Sequence, residues 1–159
     1  MPLDVEQVSI VSAPVARVWG RVVTPEGINH EMGPWLRMTM PRSLRGLTIE
    51  DVRVGEPLGR SWILALGLIP VDYDDLRLAE LEPGRRFLER STMLSMSLWE
   101  HERIVEPTGA DSTRVADRLR FELRRAPGLL PGADRLAAGL VARFFAHRHR
   151  RLRAWALGE

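Results

Sequence analysis

The chain contains no cysteine and no lysine: its 159 residues carry 23 basic side chains, all arginine, against 21 acidic ones. Without cysteine there are no disulfides, no thiolate metal sites and no cysteine nucleophile, and the composition fits a reducing compartment. Without lysine, the pI of about 10.2 rests wholly on guanidinium groups. The net charge is only +2, so no nucleic-acid partner is expected. No apolar stretch is long enough to span a bilayer, so no stable membrane insertion is expected. Met1 to Gln7 carries Asp4 and Glu6 in place of a basic end and an apolar run, so a signal peptide is not expected and the reading is cytoplasmic. Glycine-rich phosphate loops and serine nucleophile elbows are also missing, and no cofactor is expected. His101-Glu102 lacks the second histidine of a zinc-protease motif. His147 and His149 would point roughly 200° apart on a helix, so no metal is expected.

The remaining composition, 45% hydrophobic and 28% charged, is that of a folded chain large enough for one core, and one domain over residues 1–159 is expected. Internal repeats, low-complexity runs and linkers are not visible.

The longest periodic stretch is Gly132 to Trp155. At roughly 100° per residue, Leu136, Ala137, Leu140, Val141, Phe144, Phe145, Leu152 and Trp155 fall on one half of a helix. Arg148 interrupts that face, while Arg143, His147, Arg150 and Arg153 lie opposite. Leu140, Phe144 and Phe145 are expected in the core or the wall of a cavity. At the other end, Leu3 to Val11 alternates as a strand. Ala13-Pro14 and Thr24-Pro25 then carry helix-start signals for two short helices, the second with Thr24 as cap and Pro25 as its first residue. Gly33 to Gly46 has no clean period and reads as an irregular loop over the cavity mouth, with Trp35, Met38 and Met40 turned to it. Six strand-like runs follow, at about 47–54, 58–69, 75–82, 85–93, 97–106 and 113–123. They are separated by Gly55-Glu56-Pro57, Pro70, Glu82-Pro83-Gly84 and Pro107-Thr108-Gly109. Ala126-Pro127-Gly128 and Pro131-Gly132 end the strands. This order predicts an α+β fold in which a curved seven-stranded antiparallel sheet wraps a long C-terminal helix and leaves a cavity between them.

The same order carries a resemblance. Ser12-Ala13-Pro14 with Val18-Trp19, Glu82-Pro83-Gly84, Glu89-Arg90-Ser91, Trp99-Glu100-His101, the Thr113 to Asp117 strand and Phe144 to Arg148 together resemble the helix-grip fold of the START-related SRPBCC superfamily. That superfamily includes lipid-transfer domains and polyketide cyclases or dehydratases, and it hosts many unrelated activities.

Period-two alternation puts Thr113, Val115, Asp117, Leu119, Phe121 and Leu123 on the inner face of the last strand, and Trp99, His101, Arg103 and Val105 on one face of the strand before it. Asp117 is therefore an acid on an apolar face and needs a partner. A hairpin centred near Gly109 would set His101 beside Asp117 and Trp99 beside Leu119, and pairing about Ser95 would set Glu89 on the other side of His101. Such a row is either a structural cluster sealing the cavity, a ligand contact, or a general acid or base in which His101 is held by Glu89 and Asp117. Trp99, Phe121, Leu140, Phe144, Arg148, Trp35 and Met38 are the candidate ligand contacts. Arg148 either pairs with an acid on the sheet, the favoured reading, or offers its planar donors to a ligand carboxylate or carbonyl. His147 to Arg153 is basic enough for an anionic partner, but also places positive charge where it complements the helix dipole. Three functions follow. The first is a binding or transport protein for a hydrophobic or amphipathic small molecule such as a lipid, polyketide or aromatic compound. The second is a cyclase- or dehydratase-like enzyme using His101, and the third is a partner-binding module using the arginine-rich helix end.

Overall fold

The computed structural model describes residues 1–125 and 130–159. The turn expected at Ala126-Pro127-Gly128 thus lies outside the described residues.

Strand β1 (Leu3–Val11) alternates as its sequence does, with Leu3, Val5, Gln7 and Ser9 turned inward and Asp4, Glu6, Val8 and Ile10 in solvent. Pro14 occupies the N-cap position of helix α1 (Val15–Val22) without a side-chain hydrogen bond, and the helix buries Val18, Trp19 and Val22. Helix α2 (Pro25–Met32) starts where Thr24 and Pro25 signal it: the Thr24 hydroxyl accepts the Gly27 N–H at 3.1 Å. Such a cap stabilises by about 1 kcal/mol. Only glycine fits at position 27, because a Cβ there would lie 1.8 Å from the Arg21 carbonyl oxygen.

The remaining strands are β2 (Leu36–Met38), β3 (Pro57–Ala65), β4 (Ile69–Glu82), β5 (Arg86–Met93), β6 (Met96–Gly109) and β7 (Ser112–Leu123). They form one curled seven-stranded antiparallel sheet in the order β1-β7-β6-β5-β4-β3-β2. The expected strand number is right, but one strand was misplaced. Residues 47–54 form no strand. Thr48 and Asp51 close a capping box there, the Thr48 N–H and hydroxyl donating to Asp51 Oδ2 at 3.0 and 2.8 Å, and Ile49–Asp51 becomes a short 3-10 turn. The seventh strand is β2, inside the stretch read as irregular and too short to show a period. Nor does Pro70 separate two strands. The turn is Leu66-Gly67-Leu68, where Leu66 and Gly67 take φ of 51° and 73°, and Pro70 sits in β4 beside a register shift that tolerates its missing N–H.

Helix α3 (Ala133–Ala156) lies in the grip of the sheet, packed on β1 and α2. Val11, Val18, Val22, Val105, Val115 and Leu152 form one core cluster, and Leu119, Phe121 and Phe145 a second. The inward face of α3 differs from the expected one. Its buried residues are Phe145, Arg148, His149 and Leu152. The centre of that arc lies roughly 130° from Leu140 at 100° per residue. Leu140 and Leu136 are consequently 59% and 66% exposed, and Leu140 belongs to neither core nor cavity. Arg148 lies within both arcs; the roll brings in His149, whose ring meets Asp117, and turns Leu136 and Leu140 out.

Candidate functional site

The inner faces of β6 and β7 meet α2 and α3 in a buried polar network. Glu89 stands opposite His101 in the β5–β6 register, as expected. The β6–β7 register differs by two residues: His101 pairs with Leu119, Trp99 with Phe121 and Arg103 with Asp117. The reason is the turn, which closes between Gly109 and Ser112 after a bulge near Pro107 and so lies further along the chain than a turn centred at Gly109. An even shift preserves the faces. His101 therefore still reaches Asp117, diagonally: its Nε2–H donates to Asp117 Oδ1 at 2.8 Å.

Asp117 accepts more than that one bond. Arg103 donates to it from Nε at 2.7 Å and Nη2 at 2.6 Å, and His149 Nε2 donates at 2.7 Å. Burial alone would push the Asp117 carboxyl up, but the charge of Arg103, then His101, and their hydrogen bonds hold it well below the usual carboxylate range. Arg103 Nη1 also donates to Glu31 Oε1 at 2.8 Å, and Arg148 reaches Glu31 Oε2 from Nε and Nη2, each at 3.1 Å. Glu31 is likewise depressed: Arg103 and Arg148 outweigh its burial. For Arg148 burial dominates and lowers its pKa, with Glu31 opposing and Arg103 adding to the fall. The acid that meets Arg148 is on α2, not on the sheet. The pair thus ties α3 to α2, and Arg103 ties both to β7.

Arg103, Glu31 and His149 were not among the candidate residues. Arg103 shares the inward face with Trp99 and His101, the same signal that exposed Asp117. Glu31 ends a short helix with no pattern to mark it, and His149 became visible only with the roll of α3. The basic run is largely used internally: His147 donates to the Gly33 carbonyl at 2.7 Å, Arg151 to the His30 carbonyl at 3.1 Å, and Leu152 is core.

On the other side of His101 lies a cavity of about 400 Å³ between the sheet, α3 and the segment leading into β3. Its wall is mostly aliphatic, methionine and aromatic, with Met38, Met40, Ile63, Leu78, Trp99 and Phe144 among the lining residues. His101, Glu89 and Arg148 also line it. The His101 ring is clamped edge-on against Phe87 and Phe145, with centroids 5.5 and 5.1 Å away. Asp117 and Phe121 are wholly buried behind this wall and do not line the cavity. Trp35 is 59% exposed and also lies outside the lining. In β2 the alternation sends Leu36 and Met38 inward, so Trp35 and Arg37 go outward.

Glu89 is turned to a partner the sequence reading did not name. Asp74, on the concave face of β4, lies within hydrogen-bonding reach of Glu89 and Ser91, and Ser91 Oγ donates to Glu89 Oε1 at 2.9 Å. Burial first, then the charge and hydrogen bond of Glu89, push the Asp74 carboxyl up to about 10, against a smaller opposing effect of Ser91. Raised this far, the Asp74 carboxyl stays protonated at neutral pH. The expected strand, 75–82, begins one residue after Asp74, whereas β4 starts at Ile69. Extended through Pro70, the alternation Asp72, Asp74, Leu76, Leu78 shows the acid pointing inward. Among the described residues, no group of three or more His, Cys, Asp or Glu side chains is arranged to hold a metal ion, and no helix is long and apolar enough to cross a membrane.

The model of the family described as a domain of unknown function, DUF8410, matches residues 9–156. The chain belongs to this family. No curated protein matches the DUF8410 chain. Its solved neighbours are distant in sequence and similar throughout in fold. The ZhuI aromatase/cyclase from Streptomyces sp. R1128 is 17% identical with a TM-score of 0.73, over 98% of this chain and 94% of that one. A START superfamily protein from Mycobacterium smegmatis is 13% identical with a TM-score of 0.70, over 98% and 97%. Ara h 8.0201 is 11% identical with a TM-score of 0.64, over the full length of both chains. The DUF8410 chain therefore has the SRPBCC, START-like fold.

Proposed function

We propose that the protein, a single helix-grip domain, binds a hydrophobic or amphipathic small molecule in the cavity between sheet and helix. The observation that carries this reading is the cavity itself: about 400 Å³, walled by apolar side chains, with a few convergent polar groups. Pockets of this size and lining suit a small ligand, where apolar area supplies affinity and a few polar groups fix orientation. The buried network supports a binding role, because its ion pairs tie α3 and α2 to the sheet beside the cavity. Met38 and Met40 supply adaptable contacts at the mouth. Titration with a neutral solvatochromic dye such as Nile red tests the reading. The wild-type chain should give a saturable blue-shifted signal, and Val141→Trp, which fills the cavity from α3, should lose it while keeping its circular dichroism. Equal binding by both would count against the cavity as the site.

A second reading is an enzyme resembling a polyketide cyclase or dehydratase. It is favoured by one arrangement: His101 lines the cavity while Asp117, behind it, fixes the ring through Nε2. In that reading Glu89 and Arg148 are the other polar contacts for substrate. It requires turnover of a poly-β-keto mimic that His101→Gln abolishes while Nile red binding persists; unaltered turnover in the variant would exclude His101 as the acid or base.

A further inference from the structure

The polar groups facing the cavity are not alike in charge. Arg148 is paired with Glu31, and His101 with Asp117. At the rim, Asp72 is held by the Tyr73 and Ser95 backbone N–H groups, and Arg77 is exposed. The Asp74–Glu89 pair is different. Ser91 and a further acid, Asp72, lie beside it, His101 stands opposite Glu89 in the β5–β6 register, and among the described residues neither carboxyl forms an ion pair. The pair sets two carboxyl groups side by side in a mostly apolar wall, an arrangement that is costly without a counter-ion.

Its hydrogen bonding is incomplete as well. Asp74 is 3% exposed, and its Oδ1 has no partner. Ser61 stands opposite it in the β3–β4 register, wholly buried, and its hydroxyl is also unpartnered. Buried polar groups without partners are uncommon enough to call for an explanation. An unfilled acceptor beside two clustered carboxyls calls for a positively charged donor. A protonated amine brings one positive charge and up to three N–H donors on a compact head. A hydroxyl brings one donor and no charge.

We propose that the Asp74–Glu89 pair is the recognition point for the protonated amine of an amphipathic ligand whose apolar body fills the remainder of the cavity. The proposal rests on the reading that the cavity takes a small molecule, and adds the chemical class of that molecule. Asp74 and Glu89 supply the charge and the acceptors, and Ser91 holds Glu89 in place. The site is on β4 and β5, and Arg148 already has Glu31 as its partner, so ligand orientation is set by the acids and not by the arginine.

A matched pair of probes tests this by isothermal titration calorimetry at pH 7: 2-(1-naphthyl)ethylamine, protonated there, and 2-(1-naphthyl)ethanol, its neutral counterpart. The wild-type protein should bind the amine about tenfold or more tightly than the alcohol. Asp74→Asn with Glu89→Gln should erase that preference while leaving alcohol binding within about threefold. Alcohol binding equal to or tighter than amine binding in the wild type overturns the proposal and leaves the cavity reading standing. So does an amine preference that survives in a folded double variant. If the wild type binds neither probe, both readings fall. Because the wild-type comparison needs no variant, loss of folding in the double variant does not rescue the proposal.

Discussion

Replacing Glu31 should cost more stability than replacing its partner Arg148. Glu31 receives Arg103 Nη1 on one oxygen and Arg148 Nε and Nη2 on the other. Arg103 has two further bonds to Asp117, whereas Arg148 has Glu31 as its one ion-pair partner among the described residues. Glu31→Met therefore leaves Arg148, only 7% exposed, without an anion. Removing one partner of a buried pair in this way costs about 3–5 kcal/mol. Arg148→Met leaves Glu31 still bonded to Arg103, and the loss is that of hydrogen bonds to a charged group, about 1.5–3 kcal/mol. The double variant leaves Arg103 and Asp117, one charge of each sign, and should cost less than the two single losses added together. Urea unfolding at pH 7 measures all three. For a chain of this length the Glu31→Met loss corresponds to roughly 10 °C in Tm. The reasoning is refuted if Arg148→Met costs as much as Glu31→Met, or if the two losses simply add.

The acids at the two ends of the site should respond to pH with opposite sign. Glu31 and Asp117 are depressed in the fold, so their contribution is present above the unfolded values of 4.5 and 3.8 and is lost as pH falls through and below them. Asp74 is raised to about 10 from 3.8, so it opposes folding increasingly as pH rises across that window. Asp74→Asn should then stabilise the protein at pH 7 by on the order of 2–4 kcal/mol, with the gain shrinking toward pH 4; urea midpoints across that range that do not separate from wild type would contradict the raised value. On α3, Phe145→Ala should cost about 3–5 kcal/mol and Leu140→Ala less than about 0.5 kcal/mol, a contrast that thermal unfolding of the two variants reads directly. Hydrogen exchange should show residues 33–46 gaining protection when the cavity is filled, since Met38 and Met40 line it; unchanged exchange at saturation would remove this segment from the site.

The fold was legible because its signals are long. Nine alternating residues in β1, the Thr24-Pro25 cap and the 24-residue periodicity of α3 each fix an element locally. What was not legible was shorter or depended on partners. The three residues of β2 are below the length at which a period exists, and the Thr48–Asp51 capping box overrode a β-like run. In the site, Asp117 and His101 could be read from alternation because each is a polar residue on an inward face. Their common partner Arg103 sat on that same face, while Glu31 comes from a helix 72 residues earlier and leaves no trace in local pattern. The roll of α3 is the clearest case. A hydrophobic arc predicts burial of Leu140, but rolling past it gives His149 a buried carboxylate partner in Asp117, and Leu140 is left in solvent.

The central claim is that the cavity holds a hydrophobic or amphipathic small molecule, and native mass spectrometry of the purified protein tests it most directly. After incubation with a mixed extract of apolar and amphipathic metabolites, the wild-type chain should carry a small-molecule adduct that denaturation releases and that the folded Val141→Trp variant lacks. A wild-type protein that stays at its bare mass, or an adduct retained equally by Val141→Trp, would contradict the account.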